Sequence, residues 1–331
     1  MAYIVGLDAH AKTSTFKVKD ENGNLVATDT VPSTRASFIE LARTYPSATV
    51  VVEASSVHEW IHDVLAAEGA EVFACHPVNI RRVLGKKNDE VDAGFLADAY
   101  RLGVLTRSYV PPHNIRALRQ LCRRRAFITH ETVRIKNRIH GILKRTGQRF
   151  QDDDDDSNVF ALKNRKKLET VDPEIPSLLT FLDVFRTERR RLERELATIA
   201  DENEDVRRLT TIPGFGPFTA VTIYAEIGDV TRFRNANALA AYFGLTPSEI
   251  QSGETLVRGH ITKRGNSQVR WLLSQASWIH VTTTPRSALT KAYKRTSKRT
   301  GKKRAIIATA RRLAKITYHI LHDKTAFQLN G

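Results

Sequence analysis

The spacing of apolar and polar residues changes along the chain, and the change predicts where one kind of structure gives way to another. Three short strand-like runs come first, Tyr3 to Asp8, Thr15 to Lys19 and Leu25 to Val31, with Glu21-Asn22-Gly23-Asn24 as the turn between the second and third. A helical stretch from Ala36 to Tyr45 follows, then the continuous apolar strand Ala48-Thr49-Val50-Val51-Val52-Glu53. A helix from Val57 to Glu68, a strand from Glu71 to Ala74 and a helix from Asp92 to Leu105 complete this part.

The order β-β-β-α-β-α-β is that of a ribonuclease-H-like α/β domain, a meander extended by parallel strands with helices on the faces. Beyond residue 110 the period becomes seven: Leu121, Ile128, Ile135 and Ile142 recur with Leu118 and Ile139 in the alternate seam, and Leu178, Leu182, Phe185, Leu192, Leu196 and Ile199 repeat the pattern. Two long helices are predicted, joined as an antiparallel coiled-coil hairpin. Between them lie Asp152 to Asp156, Pro173 and Pro176, a helix-breaking and solvated connection whose aspartates also admit a metal-site reading. A third, mainly α segment opens near Leu209 with Thr211-Ile212-Pro213-Gly214-Phe215-Gly216-Pro217 before a helix from Phe218 to Ile227. Such a turn aims backbone N–H groups and a positive dipole end at a phosphate, as in a helix-hairpin-helix element, or it is an ordinary glycine-rich helix entry. After Pro285 the chain reads as basic helix to about His322, with Tyr293 the only aromatic before Ala305. The predicted segments are 1–110, 111–205 and 206–331.

Charge changes the picture more than composition does. The formal charge is +16, and 41% hydrophobic residues suffice for a core in each segment. The excess calls for a polyanionic partner, nucleic acid before a membrane surface, because no apolar run reaches the roughly eighteen residues of a membrane span. It is unevenly placed. Residues 1–110 hold 11 Lys/Arg against 14 Asp/Glu, whereas residues 111–150 hold 11 against one, and residues 285–315 hold 12 against none. The last two stretches are the expected phosphate-binding surfaces. The absence of a basic leader or signal-type apolar core before the first strand predicts a cytoplasmic, nucleoid-associated protein. Cys75 and Cys122 are too isolated for a disulfide framework or zinc knuckle and are expected to be buried.

Two groups of residues carry candidate chemistry. Asp8 and Glu53 end apolar strands, where an unpaired charge is costly unless it binds a partner or a metal. Asp89 and Asp92, three apart in Lys87-Asn88-Asp89-Glu90-Val91-Asp92-Ala93, face one side of a helix and read either as N-terminal caps or as further metal ligands. Four carboxylates on three elements suit Mg²⁺ or Mn²⁺ at a scissile phosphate. Lys86 and Lys87 are solvated or touch the strand, and His10 is read as a bystander. The second group is Gly244-Leu245-Thr246-Pro247, Gln251-Ser252-Gly253 and Gly259-His260-Ile261-Thr262-Lys263-Arg264-Gly265-Asn266. A Ser-Gly pair is common in surface turns. Here Arg258, Lys263 and Arg264 stand where they would polarise a phosphate attacked by Ser252.

With Gly6-Leu7-Asp8, Val52-Glu53-Ala54, the Asp89 to Asp92 motif, Ile212-Pro213-Gly214-Phe215-Gly216, Gln251-Ser252-Gly253 and Lys263-Arg264-Gly265-Asn266 together, the sequence strongly resembles the DEDD transposases of the insertion-sequence 110 family, the 1111 branch and Piv-like recombinases included. The resemblance implies a RuvC-like catalytic domain, an assembly coiled coil and a C-terminal transposase domain with a catalytic serine. It implies donor and target DNA as substrates, a structured bridge RNA as guide, and a homo-oligomer, dimer or tetramer. Carried over, Asp8, Glu53, Asp89 and Asp92 become the metal tetrad and Ser252 the nucleophile, chosen over Ser248 and Ser267 for its Gln-Ser-Gly setting. Asn88 stands where the family spells Thr. The nucleic-acid contacts expected are Arg123, Arg124, Arg125, Lys136, Arg138, Gly214, Gly216, Arg258, Lys263, Arg264, Lys298, Arg299, Lys302, Lys303 and Arg304. The competing classes are a RuvC-like metal nuclease or Holliday-junction resolvase that hydrolyses DNA with water, and a non-catalytic nucleic-acid scaffold that would have no use for buried-strand carboxylates.

Overall fold

A computed structural model describes residues 3–76, 89–148, 159–252 and 255–329. The chain divides into two units, Met1–Pro111 and Pro112–Gly331. In the first, β1 (Ile4–Ala9), β2 (Thr13–Lys19) and β3 (Leu25–Pro32) form the meander, followed by α1 (Arg35–Thr44), β4 (Thr49–Glu53), α2 (His58–Ala67), β5 (Glu71–Cys75) and α3 (Asp89–Arg101). The sheet order is β3-β2-β1-β4-β5, with β1 antiparallel to β2 and parallel to β4, and β4 parallel to β5. That is the expected ribonuclease-H-like arrangement. Strand period assigns the faces. Val5, Leu7, Val50 and Val52 point into one core with Phe38 of α1 and Ile61 and Leu65 of α2. The residues between them point the other way, where Val51 and Cys75 meet Leu96 of α3.

Among the described residues the second unit is helical apart from one hairpin. Helix α4 (His113–Arg145) precedes the short α5 (Arg165–Glu169) and α6 (Ile175–Glu202), and α4 and α6 pack as the antiparallel pair that the seven-residue repeat predicts. Ion pairs follow the direction: Arg125 with Glu193 at 2.7 Å, Arg138 with Glu174 at 2.8 Å and Arg145 with Asp172 at 3.5 Å advance along α4 as they recede along α6 and the residues that lead into it. Leu168, Ile175, Leu179 and Leu182 enclose Ile139 and Ile142 toward one end of the pair. Toward the other end, Cys122 and Leu196 join the core built by α7 (Glu204–Thr210), α8 (Pro217–Ile227), α9 (Ala236–Tyr242), α10 (Ser267–Thr283) and α12 (Lys302–Asp323). The aspartate run 152–156, Lys86, Lys87 and Asn88 lie outside the described residues. Both cysteines are free and buried, as expected. Among the described residues no helix is long and apolar enough to cross a membrane.

Two expectations are corrected here. The basic C-terminal stretch is two helices, α11 (Ala288–Thr300) and α12, because Gly301 ends the first at φ 84°, a left-handed conformation that costs other residues strain. Ser252, whose Ser-Gly pair reads as part of a surface turn, instead ends the strand β6 (Pro247–Ser252), antiparallel to β7 (Thr255–Ile261), and pairs with Thr255. The Ser-Gly signal of a surface turn marked the end of a strand.

Candidate active site and nucleic-acid interface

Placement of the acidic residues follows from strand register. Gly6 pairs with Val51 across β1 and β4, so Asp8 and Glu53, two residues further on, lie near the ends of adjacent strands on the same face of the sheet. Helix α3 crosses that face. Its last turn meets the start of β1's neighbourhood: Lys19, the partner of Ile4, donates to Asp98 at 2.5 Å, and Arg101 lies against Gly23. Its middle rests on Gly6, where a methyl group would stand 1.9 Å from the Ala93 carbonyl oxygen. The helix therefore runs antiparallel to β1, and its N-terminal end, which carries Asp89 and Asp92, lies toward the strand end that carries Asp8. The glycine is what permits this approach.

The side chain of Asp8 is 14% exposed, with His10 Nε2 at 3.3 Å from its carboxylate, so the bystander histidine is a direct contact. Glu53 and Asp92 are half-buried. Burial first, and then the charge of Glu53, push the Cys75 thiol up to about 12. Among the described residues no three His, Cys, Asp or Glu groups stand ready to hold a metal ion, and the side chain of Asp89 lies outside them. Asp8 and Glu53, carboxylates on one face of the sheet, are donors of the kind that suits a hard divalent cation.

The second constellation is assembled by backbone. The Gly244 turn and the Lys263-Arg264-Gly265-Asn266 loop press together so closely that a methyl on Gly244 would stand 2.1 Å from the Arg264 carbonyl oxygen, and one on Gly265 2.1 Å from that of Tyr242. Arg270 clamps the loop, donating to the carbonyls of Gly265 at 2.9 Å and Arg264 at 3.1 Å. Lys263 is held left-handed at φ 54°, where its N–H reaches the Gly244 carbonyl. Asn266 caps α10 through its carbonyl oxygen and donates from its amide nitrogen to Glu226 at 3.1 Å. None of Arg270, Glu226 or the strained Lys263 stands out in the sequence for this work. Asn266 alone is of a residue type that by itself favours its role, the N-cap of a helix. Ser248 Oγ donates to the His260 carbonyl across the hairpin, and the side chains of Ser252 and Arg258 lie outside the described residues.

Beside this loop a cavity of about 640 Å³ opens between β6, β7 and α12, lined by Pro247, His260, Lys263, Lys303, Arg304 and Arg311. Arg311, which no sequence motif marks, has a buried Nε without a hydrogen-bond partner among the described residues. Lys298, Arg299 and Lys302 are exposed. The basic residues of α4 are differently placed. Arg124 pairs with Glu188, Arg138 holds Glu174 in a fork at 2.9 and 2.8 Å, Lys136 lies 5.0 Å from the Phe160 ring, and Arg125 pairs with Glu193 and stacks 4.1 Å from the Phe218 ring. Of the five, only Arg123 is exposed with no ion pair recorded among the described residues. At the Pro-Gly turn between α7 and α8, Gly214 sits at φ 98° with its missing methyl 2.6 Å from the Ala276 carbonyl oxygen, a packing requirement. Gly216, the cap residue of α8, faces open space.

The first unit is thus an α/β domain of ribonuclease-H-like strand order with an acidic edge. A family model for DEDD transposases of the IS110 group, described as "Transposase", matches residues 5–148, and one described as "Transposase IS116/IS110/IS902 family" matches residues 206–294. The chain belongs to this family, and it is an enzyme acting on DNA. It is 28% identical to the transposase for insertion sequence element IS1111A of Coxiella burnetii, over 98% of this chain and 91% of that one. It is 30% identical to putative transposase y4rJ of Sinorhizobium fredii, over 87% and 82%. A solved structure, T. thermophilus RuvC in complex with Holliday junction substrate, aligns with 33% of this chain and all of that one at 13% identity and a TM-score of 0.26, a likeness too slight to add to the strand order.

Proposed function

We propose that this transposase breaks and rejoins DNA strands with Asp8, Glu53, Asp89 and Asp92 as the set that holds Mg²⁺ or Mn²⁺ and Ser252 as the nucleophile. The observation that carries the reading is the pairing of β1 with β4, which puts Asp8 and Glu53 near the ends of two adjacent apolar strands under the helix that carries the other two aspartates. A bound divalent ion supplies charge neutralisation at the phosphate and acidifies an attacking hydroxyl. Ser252 Oγ forms a bond to phosphorus, its proton leaves, and the strand's departing oxygen takes one up. A free strand hydroxyl then attacks the phosphoserine, restoring a diester and returning a proton to Ser252, so the bond energy is conserved. Lys263, Arg264 and Arg258 offset the charge that builds on the phosphorane oxygens.

Duplex DNA is held by the groove of Lys263, Lys303, Arg304 and Arg311 and by the exposed Lys298, Arg299 and Lys302, with the open N-terminus at Gly216 as a further phosphate contact. The exposure of Lys263, Lys298, Arg299, Lys302, Lys303 and Arg304 and the buried Nε of Arg311, without a partner among the described residues, support it, whereas Arg124, Arg125, Lys136 and Arg138 of α4 already have carboxylates or rings. The resemblance supports a structured bridge RNA as guide and a dimer or tetramer assembled through the α4–α6 hairpin. The test is to trap the reaction on a labelled oligonucleotide and map the adduct by mass spectrometry. A phosphoserine at residue 252, absent from Ser252→Ala, is the expected result. Normal cleavage by Ser252→Ala, with no adduct in the parent, would return the case to hydrolysis by water.

A further inference from the structure

Helix α10 buries Leu272, Leu273 and Ala276 and turns Ser267, Trp271, Gln275, Trp278 and Thr282 outward. Trp271 is 55% exposed and Trp278 38%. They are seven residues apart, two helical turns, so both indoles stand on one face about 10.5 Å apart along the axis. Tyr293 of α11 braces Trp278 edge-on, with ring centroids at 6.0 Å and an interplanar angle of 69°. Exposed apolar groups that share one face, rather than being scattered singly, mark an interaction site. The charge around them says with what. From residue 255 to residue 322 the chain has 16 Lys/Arg and no Asp or Glu. A second copy of this face would bring positive charge to positive charge, so the partner is a polyanion with flat apolar surfaces.

We propose that the Trp271–Trp278 face of α10 is a stacking platform for the unpaired bases of a DNA strand. The spacing of the indoles spans roughly three base steps of 3.4 Å. Stacking on indole is indifferent to sequence, while the lysines and arginines of the Lys263-Arg264 loop before α10, and those of α11, take the phosphates. Duplex DNA offers no free base faces, so the platform reads strand separation. The inference goes beyond the preceding reading and needs neither the serine nor the metal.

The full chain has three tryptophans, and Trp60 lies in the first unit, packed 5.4 Å from Phe38, so intrinsic fluorescence reports the platform directly. Titration with a ten-nucleotide oligo-dT is expected to quench it. Trp271→Ala and Trp278→Ala should each weaken oligo-dT binding by about 5- to 100-fold, with Trp→Phe restoring most of the affinity. Duplex binding at the same salt should change less than about twofold. Both side chains are exposed, and unchanged circular dichroism and melting temperature will show that the variants fold. Oligo-dT binding that leaves fluorescence unchanged, or equal affinity in the alanine variants, overturns the proposal. Displacement of oligo-dT by oligo-rU at lower concentration reassigns the face to RNA. Loss of oligomeric mass in the double alanine variant with oligo-dT affinity intact reassigns it to protein assembly.

Discussion

Gly6→Ala is the substitution that most directly tests how the acidic edge is built. The new methyl would meet the Ala93 carbonyl oxygen at 1.9 Å, and the Ala97 nitrogen at 2.9 Å, both backbone atoms of α3. Real Cβ atoms do not approach closer than 3.0 Å, so the helix must retreat by about 1.1 Å at this point. Overpacking of this kind costs about 1–3 kcal/mol, and the reduced freedom of the unfolded chain returns about 0.4–1 kcal/mol, leaving a net loss of about 1–2 kcal/mol. For a unit that ends at Pro111 this lowers the melting temperature by about 4 °C per kcal/mol. Catalysis should suffer more than stability. Asp92 directly precedes Ala93, and a displacement of about 1 Å costs roughly 10²-fold in rate. Gly94→Ala on the same helix is the control, since its methyl would meet only the flexible Cδ of Lys17 at 3.3 Å. Single-turnover cleavage of labelled DNA beside thermal melts reads both quantities. Cleavage at the parental rate in Gly6→Ala, with an unchanged melt, would refute the docking of α3 on β1 as the device that sets the site.

Asp8→Ala and Asp92→Ala should each abolish strand cleavage while shifting DNA affinity less than about threefold, measured by gel assay and anisotropy; a cleaving double variant would remove both from the metal set. Neutralising Lys263, Lys303 and Arg304 together should lower the slope of log K against log salt by up to about 0.9 for each phosphate that is no longer neutralised. An unchanged slope would place the duplex elsewhere. Burial raises the thiols of Cys75 and Cys122 to about 12 and about 11, above their usual value of 9.0. Protonated thiol is thus favoured in the folded state: the stability this confers is whole below pH 9 and is lost as pH rises through 11 to 12. Thiolate absorbance near 240 nm should stay absent from the native protein at pH 9.5 and appear on unfolding; a native midpoint near 9 would contradict the burial.

Much of this protein follows from local pattern. Residue types and turn signals were enough for the five strands of the first unit and for the end of β4 at Glu53, with β1 running one residue past the expected Asp8 to Ala9, because strand period and apolar runs are properties of neighbours in sequence. The seven-residue repeat likewise located α4 and α6, and the distribution of charge separated an acidic first unit from a basic second one. Tertiary structure decided the rest. That α3 lies antiparallel on β1, with Gly6 as the point of contact, depends on a helix nearly ninety residues away from the strand it crosses. The Gly244 turn and the Lys263-Arg264-Gly265-Asn266 loop become a unit by an approach of two backbones separated by the whole β6–β7 hairpin, with Arg270 as the clamp. The same distance explains the cations of α4. In sequence Arg125 and Arg138 read as phosphate ligands, but Glu193 and Glu174 are brought to them by the return helix, and a charge neutralised across a fold cannot be recognised from its own neighbours.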